Sequence, residues 1–271
     1  LINLPLIKVL VNFIIIYLYL QMTNKKEIIS GIIIIGNEIL SGRTQDTNTS
    51  TISKWLNSLG IKVQEVRVIP DIEKIIVDTV NELRKKYDYV FTTGGIGPTH
   101  DDITASSISK AFNLNYGPHK EAMSLLEKYY KPGEFNEGRQ KMAWMPTNAN
   151  LIYNPTSGAP GFNVENVFCL PGVPSILKSM LGDISHKLVG GEPILSQTIN
   201  LRTVESEIAK SLSMVQNNNK DVDIGSYPFF RAGKLGVAIV LRSTNQSQID
   251  KCNLEIINFV KEKNIEIVES I

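Results

Sequence analysis

A glycine-rich stretch followed by two acids is the part of this sequence best suited to chemistry. It reads TTGGIGPTHDD and runs over residues 92–102. Glycines let backbone amides approach an anion, and a helix that starts after them offers further unpaired N–H groups to a phosphate. Two adjacent carboxylates could hold Mg²⁺, which bridges phosphate oxygens. The stretch therefore predicts a site for a phosphate and a divalent cation, although a helix-capping role explains Asp101 equally well.

The same stretch differs from the common nucleotide-binding loops. His100 stands where the dinucleotide pattern GxGxxG needs its last glycine, and the sequence contains no GxxxxGK[ST] loop. His100 has no partner carboxylate at a fixed spacing, so an ordinary loop position explains it better than general-base catalysis. No Ser-His-Asp or Cys-His arrangement can be recognised, which disfavours covalent nucleophilic catalysis.

Three further loops contain small and polar residues that could face the same ligand. They are GNEILSGRTQDTN at residues 36–48, SGAPGF at 157–162 and LPGVP at 170–174. Each is also a plausible plain turn, and helix capping alone would explain one of Asp46, Thr47 and Asn48. Asp71, after Pro70, is most simply a helix N-cap. The candidate ligand-binding residues of the four loops are Gly36, Glu38, Ser41, Asp46, Asn48, Thr93, Gly94, Gly95, Gly97, Pro98, Thr99, Gly158, Ala159, Pro160, Gly161, Pro171 and Gly172.

The elements around these loops alternate between apolar runs of strand length and amphipathic helical segments, which predicts βαβ units and a mostly parallel sheet. The predicted strands are 28–35, 61–69, 87–93, 151–153 and 164–170. The predicted helices are 46–59, 72–86, 104–112, 120–130, 137–143 and 174–188. Because ligands bind at the carboxyl ends of parallel strands, we expect the four loops to meet at one edge of the sheet.

The chain is expected to contain two domains after an apolar extension. The first, 22–190, is the α/β domain; the second, 191–271, is a small α+β domain with strands 194–202 and 234–242, helices 205–214 and 246–263, and an Asn-rich turn at 217–219. Residues 1–21 are nearly all apolar, and the first methionine is Met22. We expect a misassigned start, with Met22 as the true one; a membrane anchor is the alternative.

Composition narrows the classes of partner. The 271 residues carry a net charge of +1, with 42% hydrophobic and 20% charged residues, which is typical of a globular protein and excludes collagen-like and strongly disordered classes. No basic footprint for nucleic acid is present. Cys169 and Cys252 are far apart, and the three histidines do not cluster with them. We therefore expect reduced thiols in the cytoplasm, no zinc site, and a small-molecule ligand.

Taken together, the motifs TTGGIGPTHDDIT, GNEILSGRTQDTN, NPTSGAPGF and LPGVP resemble the MoaB/Mog molybdopterin-binding domain, in the form found in the amino-terminal part of CinA-like proteins. The motif IGSYPFFR at 224–231 is similar to the small domain that follows it in stand-alone members. The resemblance implies a three-layer α/β/α sandwich with a mostly parallel sheet, homo-oligomeric assembly, and binding of molybdopterin or an adenine dinucleotide. The sequence has no deamidase domain after these two, so deamidation of nicotinamide mononucleotide is not expected.

The resemblance also suggests roles for individual residues. In molybdopterin-adenylylating relatives the glycine loop ends in an Arg-Asp pair. When this chain is aligned to that pair, Asp102 falls on the functional aspartate and Asp101 replaces the arginine. Asp71 falls on the second functional acid of those relatives. Asp102 and Asp71 are thus the expected catalytic residues, and Asp101 and Asp102 the expected ligands of Mg²⁺ or a similar ion. CinA-like relatives are associated with metal-dependent hydrolysis of ADP-ribose or similar dinucleotide pyrophosphates; the alternative is a non-catalytic binding module linked to molybdenum cofactor biosynthesis. One departure is Ile176-Leu177 after Ser175, where relatives have Glu-Met, which puts any role of that glutamate in doubt.

Overall fold

The computed structural model describes residues 27–231 and 233–268, and the chain divides into two compact units between Gly191 and Glu192. The predicted apolar extension, 1–21, lies outside the described residues. Within the described part of the chain, no helix is both long and apolar enough to cross a membrane.

The first unit is built around a six-stranded sheet. In chain order its elements are β1 (Ile28–Ile35), α1 (Asn37–Leu40), α2 (Asn48–Ser58), β2 (Ile61–Ile69), α3 (Glu73–Lys86), β3 (Tyr89–Thr93), α4 (Thr104–Ala111), β4 (Tyr116–Pro118), α5 (Lys120–Tyr129), α6 (Glu137–Lys141), β5 (Trp144–Pro146), β6 (Asn150–Ile152), β7 (Gly161–Val164), β8 (Val167–Leu170) and α7 (Pro174–Ser185). The sheet order is β2-β1-β3-β8-β7-β6, and β7 runs antiparallel to its neighbours while β2, β1, β3 and β8 are parallel. The predicted mostly parallel sheet is confirmed.

Helices cover both faces of this sheet, which gives the predicted three layers. Apart from Ser30 and Gly31, β1 is apolar along its length, as expected for a strand whose side chains are buried alternately on the two faces. Ile33 and Ile35 pack in the cluster that includes Ile76 of α3 and Ile108 of α4. Ile32 and Ile34 pack on the opposite face, in the cluster that also contains the α2 and α7 residues Ile52, Leu56, Leu177 and Leu181.

Short elements account for most differences from the predicted ones. The predicted strand 164–170 is in fact a hairpin, because Glu165 turns the chain with a φ of 48° between β7 and β8. Four residues of β7 are too few for a periodicity to be read. The sequence pattern also did not predict three other short elements. These are the three-residue strands β4 and β5, which pair as a separate antiparallel ribbon, and the four-residue helix α1.

The second unit is a small antiparallel α+β domain. It contains β9 (Leu195–Leu201), α8 (Glu205–Asn218), β10 (Asp223–Arg231), β11 (Lys234–Ser243), α9 (Gln246–Glu262) and β12 (Ile267–Val268), with sheet order β10-β11-β9-β12. The predicted Asn-rich turn at 217–219 is wrong over most of its length, because α8 continues to Asn218. The helix is capped by Asn219, whose side-chain amide donates to the Val215 carbonyl at 2.8 Å. The motif IGSYPFFR forms most of β10, a strand that was not predicted.

Candidate functional site

The four loops converge on a cavity of about 540 Å³ in the first unit. Three of them follow the carboxyl ends of the parallel strands β1, β3 and β8, and the fourth precedes β7. Other cavity-lining residues were not among the candidates, including Thr44, Met142, Asn154, Ser157 and Ile176. The candidate residues that line the cavity are Glu38, Gly94, Gly95, Gly97, Pro98, Asp102, Ala159, Pro160, Pro171 and Gly172.

The glycine loop is held in place by α4. Gly94 and Gly95 have φ values of 103° and 66°, and a Cβ on Gly94 would overlap the Ile35 carbonyl oxygen. The buried Thr104 hydroxyl donates to the Gly94 carbonyl at 2.9 Å, and its amide donates to the Gly95 carbonyl at 2.9 Å. The Gly94 amide itself donates to Leu170, whereas within the described residues the amides of Gly95 and Gly97 donate no hydrogen bond. The last two are therefore available to an anion.

Asp101 and Asp102 occupy different environments. Asp102 lines the cavity, and its Oδ2 accepts the Thr99 amide at 2.8 Å and the Thr99 hydroxyl, which closes the turn before α4. Asp101 points to solvent, with 67% of its side chain exposed. The polar groups around Asp101, first the Thr99 side chain and then its own backbone amide, lower the pKa of its carboxyl below the usual range. Neither acid caps α4, since the N-cap is Ile103 and makes no side-chain bond.

Asn48 connects three of the loops. Its buried side-chain amide donates to the Thr93 hydroxyl at 2.9 Å and to the Gly172 carbonyl at 2.8 Å, and Thr93 in turn donates to Pro171 at 2.9 Å. Asp46, by contrast, accepts the amides of Asn48 and Thr49 through Oδ1 at 2.9 and 3.2 Å. The carboxylate of Asp46 therefore orders the start of α2 and does not line the cavity.

The loop after β1 contributes one carboxylate to the cavity. Glu38 lines it, and the Ser41 hydroxyl donates to the Glu38 carbonyl at 3.2 Å. A Cβ on Gly36 would come within 2.5 Å of the Glu38 carboxylate, so the glycine makes room for that side chain. Asp71 lies outside the cavity lining, where its Oδ2 accepts the Asn37 amide at 2.9 Å and ties the end of β2 to α1.

The turn between β6 and β7 is organised by Asn154, a cavity-lining residue that was not among the candidates. Its Oδ1 accepts the amides of Thr156 and Ser157 at 2.9 and 3.1 Å, and its Nδ2 donates to Ala159 at 2.9 Å. The sequence contains a signal for this turn, because Asn followed by Pro, Thr, Ser and Gly is typical of a turn closed by the Asn side chain. Of the candidates near this turn, Gly158 packs under the Tyr129 ring and Gly161 against the backbone of Cys169.

The segment around α6 also reaches the glycine loop. The Lys141 ammonium donates to the Thr99 carbonyl oxygen, while the Arg139 guanidinium stacks 4.1 Å from the centre of the Tyr130 ring. Of these two cations, Lys141 is the one that contacts the glycine loop.

The carboxylates of the cavity could take part in holding a metal ion. Among the described residues no group of three or more His, Cys, Asp and Glu side chains is arranged to hold one. Glu38 and Asp102 both line the cavity. Mg²⁺ commonly uses one or two carboxylates together with water and substrate phosphates, so Glu38 or Asp102 could ligate a cation that binds together with a phosphorylated ligand.

Comparisons with known proteins agree with this architecture. Residues 31–190 match the family described as probable molybdopterin binding domain, and residues 193–269 match the family described as FAD synthase, middle domain. A protein of Archaeoglobus fulgidus is 38% identical over 197 residues, which cover 73% of this chain and 84% of the relative. A protein of Pyrobaculum calidifontis is 36% identical over 208 residues, covering 73% of this chain and 79% of the relative. The crystal structure of CinA, of unknown function, from Thermoplasma acidophilum is 31% identical with a TM-score of 0.55, and the match covers 59% of this chain and 98% of that chain.

Proposed function

Because the chain belongs to the MoaB/Mog-type family of molybdopterin-binding domains, in its CinA-like form, we propose that its cavity binds a phosphate-bearing ligand, either molybdopterin or an adenine dinucleotide. The observation that supports this proposal most is the convergence of four loops on one cavity at the carboxyl edge of the sheet. That edge is where open α/β sheets bind ligands.

The phosphates are held by backbone in this proposal. The amides of Gly95 and Gly97 face the anion, and the N-terminus of α4 adds a favourable dipole. Thr104 holds the glycine loop open, and Asn48 fixes the LPGVP loop against it. Lys141 contributes positive charge beside the loop.

The finer proposal is metal-dependent hydrolysis of ADP-ribose or a similar dinucleotide pyrophosphate. Asp102 and Glu38 would hold Mg²⁺ or a similar ion. Asp101 would not ligate the ion directly from within the cavity, because its side chain is mainly in solvent. Such an ion supplies Lewis-acid stabilisation of phosphoryl charge and a more acidic bound water. The residues of the chain position the pyrophosphate against this acidic pair, and Asp71 supports the site through Asn37.

A second candidate is a non-catalytic binding module for molybdopterin or a nucleotide. The absence of a third metal-ligating side chain among the described residues favours it, since a cation would then depend on the ligand for most of its oxygens. In that case the acids would belong to the ligand cradle.

The deciding experiment is product detection by the full chain with ADP-ribose, FAD and NAD, in the presence of Mg²⁺, Mn²⁺ or Co²⁺ and with an EDTA control. Release of AMP that requires the metal ion is the expected result for the hydrolase. Binding of ADP-ribose or molybdopterin without product over hours would support the binding module. If none of these ligands binds, the proposed function is wrong.

We also propose a cytoplasmic homo-oligomer. Cys169 and Cys252 are free and buried, as expected in a reducing compartment. At the edge of the sheet, Val66 and Val68 of β2 are 41% and 39% exposed, which leaves apolar surface on a strand that pairs only with β1 among the described residues. Light scattering of the purified chain should give a mass above that of a monomer, and a monomeric mass would contradict the proposed assembly.

A further inference from the structure

A second cavity of about 540 Å³ lies in the first unit and has no part in the phosphate site described above. It is bordered by two tyrosines, Tyr129 and Tyr153, and by the carboxyl-terminal half of α7. The proposed function assigns no ligand group to it, although a dinucleotide or a pterin must place its ring somewhere.

The two cavities share a wall. Asn154 borders both of them; Ser157 and Ala159 of the same turn line the phosphate cavity, and Pro155 and Gly158 line the second one. One segment of chain, residues 154–159, therefore separates them. The turn is fixed from within by the Asn154 hydrogen bonds and from outside by the Tyr129 ring against Gly158.

Helix α7 runs past both cavities and gives the distance between them. Ile176 borders the phosphate cavity, and Ser179 and Gly182 border the second. With a rise of 1.5 Å per residue, Ile176 and Gly182 are separated by about 9 Å along the helix axis. The ribose and first phosphate of an adenine nucleotide, or the methylene and first phosphate of a pterin pyrophosphate, lie between the ring and the second phosphate and bridge a separation of this order.

The second cavity has the chemistry to hold a planar nitrogen heterocycle. Tyr129 and Tyr153 are 53% and 45% exposed, so their rings offer faces for stacking. Asp183 borders the cavity, and its Oδ2 accepts the Tyr153 amide at 3.0 Å. A carboxylate has further acceptor sites, and both adenine and pterin carry an exocyclic amine that could donate to them.

We propose that this second cavity is the ring subsite of the same ligand whose phosphates occupy the glycine-loop cavity. The subsite stacks an adenine or pterin ring on Tyr129 or Tyr153, directs its amine to Asp183, and makes the chain select ring-bearing pyrophosphates over inorganic pyrophosphate. This inference rests on the proposed function, because it requires phosphates in the first cavity.

Gly182 allows a test that leaves the phosphate site untouched. No atom lies within 4 Å of the position of a Cβ on Gly182, and the residue is on the exposed side of α7. Gly182→Phe should therefore fill the second cavity without disturbing the fold, and Gly182→Ala is the matched control that leaves the cavity open. Thermal unfolding of both variants checks that each is as stable as the parent chain.

The ring subsite is then tested by calorimetric titration of the parent chain and both variants with three probes. The probes are inorganic pyrophosphate, ADP-ribose and 6-hydroxymethyl-7,8-dihydropterin pyrophosphate. We expect Gly182→Phe to bind the ring-bearing ligand about tenfold more weakly or worse, as expected for a base that loses its stacking contact, with pyrophosphate affinity unchanged. The ring whose affinity falls identifies the source as nucleotide or pterin. Unchanged affinity for both ring-bearing ligands would overturn the ring subsite while leaving the proposed function intact. If the parent chain binds none of the probes, the proposed function and the subsite are both wrong.

Discussion

Asn48 and Thr93 are joined by a buried hydrogen bond of 2.9 Å between the side-chain amide of the first and the hydroxyl of the second. Asn48 is the first residue of α2 and Thr93 the last residue of β3, 45 positions apart in sequence. The same Asn48 amide also binds the Gly172 carbonyl, so one side chain at the start of α2 fixes the glycine loop and the LPGVP loop relative to each other. The geometry of the cavity therefore depends on a residue that does not line it.

Replacing Asn48 by Ala should loosen the cavity and destabilise the first unit. The variant loses two buried hydrogen bonds and leaves the Gly172 carbonyl without a partner, which costs roughly 1–3 kcal/mol of unfolding free energy. Affinity for ADP-ribose or pyrophosphate should fall with it. Urea unfolding and calorimetric titration measure the two effects, with Lys54→Ala, an exposed change on the same helix, as control. Equal stability of the two variants would contradict the role given to Asn48.

The adjacent acids Asp101 and Asp102 should differ sharply when each is replaced by Asn. Asn at position 102 can still accept the Thr99 amide, so the turn is kept while a cavity carboxylate is lost. Metal-dependent turnover of Asp102→Asn should fall by more than the roughly 10- to 100-fold that loss of an outer-shell group costs. Asp101→Asn, the matched control in solvent, should retain most activity. Comparable losses in both variants would show that Asp101 is also a ligand.

Long elements of the fold could be predicted because their patterns repeat. The structure places β1 and β2 at the predicted bounds, since eight or nine residues with one pattern of burial are enough to define a strand. The convergence of the loops followed from the same pattern, because parallel strands end at one edge. The hairpin of β7 and β8 could not be predicted, because the four residues of β7 are too few to show a pattern and the left-handed turn position is occupied by Glu165, a residue type that rarely adopts that conformation.

Roles of single acids could not be predicted, because residue type does not say which N–H group lies opposite. Asp46, Asp71 and Asp102 all follow strands. In the structure Asp46 accepts amides at the start of α2, Asp71 accepts the Asn37 amide at the start of α1, and Asp102 borders the cavity. The different roles of these three aspartates are set by tertiary packing, which the sequence pattern does not show.

The glycine loop offers a test of backbone geometry. Gly95 and Gly42 have similar φ values, 66° and 72°, but a Cβ on Gly95 would overlap the Thr104 hydroxyl while one on Gly42 would meet nothing within 4 Å. Gly42→Ala should cost about 1–2 kcal/mol, the penalty of a left-handed conformation alone. Gly95→Ala should cost more, because Thr104 must also move. Chemical unfolding of the two variants gives the difference, and equal losses would mean that the Thr104 contact contributes little.

Acid stability should depend on Glu65. Hydrogen bonds from Lys86, Tyr87 and Arg67 lower the pKa of Glu65 to about 2. Because the pKa is lower in the folded than in the unfolded chain, the stabilisation is complete above about pH 4.5 and is lost as the pH falls toward 2. Glu65→Gln should therefore be less stable than the parent chain at pH 7, and the difference should shrink on acidification. Urea unfolding between pH 7 and pH 3 measures it, with Glu127→Gln, on the exposed face of α5, as control.

Because the two cysteines lie in different units, thiol labelling can report on each unit separately. Burial raises the pKa of Cys169 to about 12 and that of Cys252 to about 11. Since the thiolate is the reactive form, neither residue should react with a disulfide reagent at pH 8 until its surroundings open, whereas both should react at once in denaturant. Rapid reaction of either thiol in the native protein would contradict the buried positions.

Ligand binding should slow the labelling of one cysteine only. A ligand that binds the folded first unit stabilises it against opening, by an amount set by its concentration relative to the dissociation constant. Saturating ADP-ribose should therefore slow the reaction of Cys169, followed in a Cys252→Ser variant, by about a hundredfold at 100 times the dissociation constant. Cys252, followed in Cys169→Ser, should react at its original rate, because the cavity is built from the first unit alone. An equal slowing of both thiols would mean that the ligand stabilises the second unit as well.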